Sequence, residues 1–89
     1  MSYKVKGTIT DVFPTEQITD RFSKSVIWLK TDEQYPQQIE IQFVNQNTDL
    51  VDNVKAGDTV EVQFGIQGKF SEKNGKVYNS LNGYGMAKV

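Results

Sequence analysis

Apolar and polar residues alternate along two neighbouring segments, residues 22–30 and 38–43, and this period of two predicts a pair of β-strands. The first segment presents its apolar residues on one face, which suits the apolar face of the second. Its other face carries aromatic and basic side chains: Phe22, Lys24, Val26, Trp28 and Lys30. Core formation does not require such a row on a solvated face. The row is typical of a platform on which single-stranded nucleic acid stacks.

The remaining sequence predicts three more strands and one short helix. Strands are expected over residues 3–13, 59–67 and 76–86, and residues 15–21 are expected to form a polar loop after Pro14. Residues 45–54 predict the helix, capped by one of Asn45, Asn47 or Thr48. Asn74-Gly75 predicts a tight hairpin turn with positive φ at both residues.

The order of these elements is strand, strand, strand, helix, strand, strand. It predicts an all-β protein with one short helix, a single five-stranded OB-fold barrel over residues 1–89 with the helix between the third and fourth strands. An SH3-like barrel is the main alternative, and the placement of the helix favours the OB-fold.

The composition narrows the range of functions. The 89 residues include no cysteine and no histidine, so disulfides, thiolate nucleophiles, cysteine zinc sites and histidine bases are excluded. No group of catalytic or metal-ligating side chains accompanies the paired carboxylates. We therefore expect no enzyme activity, no metal and no cofactor. The chain has no apolar run near 18 residues and no signal peptide is expected, which predicts a cytoplasmic protein away from the membrane.

Charge is distributed unevenly although the net charge is only −1. Residues 1–30 carry five Lys/Arg and three Asp/Glu, residues 31–61 carry one and seven, and residues 62–89 carry four and one. If the two ends of the chain meet in the fold, one face is basic and the opposite side is acidic.

The OB-fold predicts where those ends meet. Its ligand face is built from the second and third strands, flanked by the loop after the first strand and the loop joining the fourth and fifth. The predicted nucleic-acid-binding residues are Lys6, Arg21, Phe22, Lys24, Trp28, Lys30, Gln42, Lys69, Phe70, Lys73, Lys76 and Tyr78.

Several short motifs resemble small single-domain OB-fold proteins of bacteria and their phages, in particular an uncharacterised bacterial family similar to pared-down single-stranded-DNA-binding proteins. The residues that carry the resemblance lie at 5–9, 22–24, 34–37, 56–62 and 75–81. The resemblance implies sequence-tolerant binding of single-stranded DNA.

The sequence therefore predicts a non-enzymatic module that binds single-stranded DNA in replication, recombination or repair, with RNA left open as a ligand. A homodimer or homotetramer is expected, because one small domain covers few nucleotides. The alternatives are a protein-interaction or structural OB module, such as a phage assembly subunit, and an oligosaccharide-binding domain, which would have little use for the lysines.

Overall fold

The predicted strands form a curved sheet in the computed structural model, which describes residues 2–89. Its elements are β1 (Tyr3–Val12), β2 (Glu16–Thr19), β3 (Phe22–Thr31), β4 (Gln38–Val44), a 3-10 helix (Asn45–Asn53), β5 (Thr59–Ser71) and β6 (Lys76–Lys88). The two strands predicted from the alternating segments correspond to β3 and β4. None of the described residues forms a helix with the length and apolar character needed to span a bilayer.

Five of the strands close into a barrel. β1 pairs antiparallel with both β3 and β5, β3 pairs with β4, and β5 pairs with β6. The circle is completed where β4 and β6 meet in parallel at Gln42 and Asn82. With the helix between β4 and β5, this is the predicted five-stranded OB-fold barrel.

The core consists of the apolar residues that the strands place inside the barrel, together with one residue from the helix. They are Ile9, Ile27, Leu29, Ile41, Phe43, Val51, Val60 and Val62. Val51 comes from the 3-10 helix, which covers one end of the barrel. One buried polar side chain, Ser25, is hydrogen-bonded to the Thr15 hydroxyl at 2.6 Å, so its burial leaves no unsatisfied group.

Phe43 and Gly83 fit together closely inside the barrel. A Cβ atom at Gly83 would lie 2.1 Å from Cε1 of Phe43, so the fully buried ring occupies the space that any side chain would need. The absence of a side chain at Gly83 is therefore a packing requirement at the contact between β4 and β6.

Three local predictions differ from the structure. Residues 16–19 of the expected loop form β2, which pairs with the first residues of β3. No side chain caps the helix, whose first turn follows Val44. The hairpin turn spans residues 72–75, and of its residues only Gly75 has positive φ, because a four-residue turn needs one left-handed position rather than two.

We expect Gly83→Ala to lower the free energy of unfolding by about 1–3 kcal/mol, because the new methyl group overlaps the Phe43 ring. Gly85→Ala is the matched control in the same strand, since its Cβ would lie 3.6 Å from its nearest neighbour, the Gln63 side-chain oxygen. That variant should stay within about 1 kcal/mol of the parent. Urea unfolding of both variants measures the difference, and equal losses would show that Phe43 is not the cause.

Candidate nucleic-acid interface

The outer face of β3 carries the aromatic and basic row that the sequence predicts. Trp28 and Phe22 are exposed, at 39% and 37%, while Lys24 and Val26 are half-buried between them. Alternate residues of the same strand are buried in the core. Packing on the inner side of β3 thus fixes the backbone of the row, while the side chains of the row remain accessible on the outer side.

Two neighbours hold the Trp28 ring in place. Phe13 packs edge-on against it, with ring centroids 4.8 Å apart and planes at 67°. The Phe13 amide donates to the Val26 carbonyl at 3.0 Å, which keeps the residue beside β3. On the other side, Trp28 Nε1 donates to Glu40 Oε2 at 2.9 Å. The indole is therefore oriented before any ligand arrives.

Trp28 lies in a recess of about 300 Å³ on the outer face of the sheet. Its lining consists of Phe13, Pro14, Glu16, Lys24, Val26, Trp28 and Glu40. The recess combines two aromatic walls with one cation and two carboxylates. It can accept a flat ring with polar edges.

Three further recesses continue from this one across the sheet. The second shares Glu40 with the first, the third shares Gln42 with the second, and the fourth shares Gln67 with the third. We call these four recesses the track. The remaining aromatic residues along it are Phe22, Tyr78 and Tyr84.

Amide side chains hold the middle of the track together. Gln42 Nε2 donates to Asn82 Oδ1 at 2.5 Å, and Asn82 Nδ2 donates to Gln67 Oε1 at 2.8 Å. These bonds join β4, β6 and β5 on the outer surface, directly above the contact that closes the barrel. This part of the track is a cross-linked surface rather than a set of free side chains.

The distal part of the β5–β6 hairpin, residues 66–81, extends the sheet, and we call it the arm. Its two faces differ, since successive residues of a strand point to opposite sides. One face carries Lys69, Tyr78 and Lys76 and continues the track. The other face carries Ile66, Phe70 and Val77, which are 57%, 59% and 62% exposed.

The structure brings six of the twelve predicted binding residues together on the track. They are Phe22, Lys24, Trp28, Gln42, Lys69 and Tyr78. The other six do not line its recesses. Lys30 follows Trp28 on the same face of β3, Arg21 lies in the β2–β3 turn, and Lys73 and Lys76 lie at the tip of the arm. Phe70 lies on the opposite face of the arm, and Lys6 lies 4.0 Å from Asp32 in an ion pair.

Among the residues of the track that the predicted set leaves out are Phe13, Glu40, Asn82 and Tyr84. A signal existed for Glu40, because it shares its parity with Gln38 and Gln42 and so falls on the outer face of β4. Its position also corrects the expected charge separation. One residue of the acidic middle segment lies on the track itself rather than on the opposite side.

Solved structures of other proteins share this fold. The dimeric N-terminal domain of PriB from Thermoanaerobacter tencongensis has a TM-score of 0.72 and 11% identity, covering 99% of this chain and 94% of that one. The mitochondrial single-stranded DNA binding protein Rim1 of S. cerevisiae has a TM-score of 0.79 and 15% identity, covering 100% of this chain and 95% of that one.

The single-stranded DNA binding protein from Thermus aquaticus has a TM-score of 0.79 and 14% identity, covering 99% of this chain and 49% of that one. This chain therefore spans about half the length of the Thermus protein. At these identities the three structures establish the fold, and they confirm the OB-fold expected from the sequence.

A search of curated proteins found no match to this chain. The family model described as "Domain of unknown function (DUF3127)" matches residues 4–87, which is nearly the whole sequence. The match agrees with the expected resemblance to an uncharacterised family whose fold is that of single-stranded-DNA-binding proteins. The chain belongs to the DUF3127 family.

Proposed function

We propose that the protein binds single-stranded DNA along the track, without catalysis and largely without sequence preference. The observation that carries the proposal is the track itself, where aromatic rings recur between unpaired lysines on the outer face of the barrel. The proposed context is replication, recombination or repair in the cytoplasm of a bacterium or of a phage-infected host.

Stacking would supply the main attraction for bases. Each base stacked on an aromatic side chain contributes about 1–3 kcal/mol and does so for any base, because every base has a π-face. Phe22 and Trp28 are six residues apart in one strand, a distance of roughly 20 Å. Tyr84 and Tyr78 continue the series on β6. The track is long enough for several nucleotides.

Lysines beside the rings would hold the phosphates. Within residues 2–89 the ion pairs are Lys6–Asp32 and Lys88–Asp58, so Lys24 and Lys69 on the track form no ion pair, although Glu16 on β2 lies across from Lys24. Neutralising phosphates releases counterions, which makes such binding weaken with salt. Oligosaccharide binding would not show this dependence.

The likeness to solved structures supports the proposal. Two of the three similar structures are described as single-stranded DNA binding proteins, and they have the same barrel over nearly the whole of this chain. The fold thus provides the kind of surface that DNA-binding members of this architecture use.

We further propose that the protein is a homo-oligomer joined through the apolar face of the arm. Ile66, Phe70 and Val77 form what we call the apolar strip. They lie on the face of the β5–β6 ribbon that is buried where the ribbon belongs to the barrel, but on the arm nothing in the described part of the chain covers them. A two-fold contact between identical strips would bury them and align two tracks. The same strip favours the second candidate function, a protein-interaction module without nucleic-acid binding.

We expect Trp28→Ala to weaken binding of a labelled oligo-dT strand by roughly 1–3 kcal/mol, because the variant loses a stacking ring, while the buried core stays intact. Fluorescence anisotropy measures the affinity, and urea unfolding measures the stability. Tyr35→Ala is the matched control, since Tyr35 is an aromatic residue that is 73% exposed and lies away from the track. Unchanged affinity in Trp28→Ala would remove Trp28 from the site.

We expect Lys24→Ala and Lys30→Ala each to flatten the salt dependence of binding, because each variant neutralises fewer phosphates. The slope of log affinity against log salt should change by about 0.7 for each phosphate of a single strand that is no longer neutralised. Lys55→Ala, between the helix and β5, should leave the slope unchanged. Titrations at four or five salt concentrations give the slopes. The same change in all three variants would indicate diffuse charge attraction instead of a defined path.

We expect the double variant Ile66→Lys/Val77→Lys to be monomeric, because two charges on the apolar strip oppose self-association. Both residues are more than half exposed, so the barrel should fold normally. Ile18→Lys on β2 is the control, since Ile18 is 49% exposed and lies outside the strip. Sedimentation velocity gives the masses, and a monomeric parent protein would contradict the proposed assembly.

A further inference from the structure

A carboxylate lies in the centre of the proposed DNA-binding surface. Glu40 is exposed on β4, directly across from Trp28 on β3, and its Oε2 accepts the indole N–H at 2.9 Å. That bond is the one polar contact of the Glu40 side chain among residues 2–89. Its second oxygen, Oε1, therefore keeps its lone pairs for a ligand.

The charges around Trp28 suit a base rather than a phosphate. The recess contains two carboxylates, Glu16 and Glu40, and one cation, Lys24. A phosphate beside Glu40 would be repelled, whereas a base brings no charge and offers N–H groups that a carboxylate can accept. The phosphates on either side of that base would lie nearer to the lysines.

The geometry places Glu40 at the edge of a stacked base. An indole N–H lies in the plane of its ring, so the carboxylate that accepts it lies beside the ring rather than above it. A base stacked on the open face of Trp28 lies about 3.5–4 Å above that plane. Its edge is then within reach of Oε1, while Phe13 limits how far the indole can turn.

We propose that Trp28 and Glu40 form a single base-reading position that prefers guanine, an inference that rests on the proposed binding of single-stranded DNA. The Watson–Crick edge of guanine has two adjacent donors, N1–H and the 2-amino group, which the two lone pairs of Oε1 can accept together. Thymine, cytosine and adenine place an acceptor next to their donor, and its lone pair would face the carboxylate.

Glu40 therefore contributes selectivity at one nucleotide, while the other rings of the track accept any base. The Trp28 bond also gives the carboxylate a structural role in this place. It fixes the acidic group relative to the stacking surface, so the same side chain positions the platform and reads the base on it.

The test compares eight-nucleotide strands in which thymine alternates with guanine, hypoxanthine, cytosine or adenine, together with dT8. A lithium buffer keeps the guanine strand unfolded. Anisotropy should show the guanine strand binding about five- to tenfold more tightly than dT8. The hypoxanthine strand, which lacks the 2-amino group, should fall between them.

Glu40→Gln should reduce the guanine preference to less than about twofold and strengthen binding of dT8, since the amide oxygen still accepts from Trp28 but the negative charge near the phosphates is lost. Glu16→Gln is the matched control. It removes the same charge from the same recess without touching the indole, so the preference should persist.

The outcomes separate the two proposals. Tight binding of dT8 with no guanine preference would overturn the base-reading position and leave the proposed function standing. Loss of the preference in both variants would overturn it as well, because charge alone would then be responsible. No binding of any strand would overturn the proposed function and this inference together.

Discussion

The contact between β4 and β6 determines both the fold and the surface built on it. The two strands meet in parallel at one pair of residues, Gln42 and Asn82, and this meeting closes the barrel. On the inner side the Phe43 ring fills the space over Gly83, and on the outer side Gln42 is hydrogen-bonded to Asn82. Adjacent residues of one strand thus secure the core and form the middle of the track. The track is cross-linked there because the contact that closes the barrel lies directly beneath it.

Alternation of apolar and polar residues was sufficient to predict the central strands. Along β3 and β4 the pattern gives the strand bounds to within one residue and places Trp28 on the outer face, because a half-buried strand must follow a period of two. The helix between β4 and β5 then distinguishes the OB-fold from other small barrels. These features are local and each follows from a few residues.

Features that depend on pairing between distant segments could not be read in the same way. β2 is polar and its one apolar residue, Ile18, is exposed, so only its pairing with β3 makes it a strand. The bond from Trp28 to Glu40 needs the register of β3 against β4, which the connecting residues 32–37 set. Likewise, Phe13 joins the site because its backbone is bonded to Val26 across the sheet.

The arm is a ribbon one peptide layer thick with different chemistry on its two sides. Both faces share one backbone and therefore one twist, since successive residues of each strand point to opposite faces. An occupant on either face restricts the fluctuations of the whole ribbon, and the entropy cost of ordering it falls on whichever occupant arrives first. The second occupant meets a ribbon already ordered. In such a geometry, the proposed nucleic acid on one side and the proposed protein partner on the other would be linked cooperatively without any contact between them.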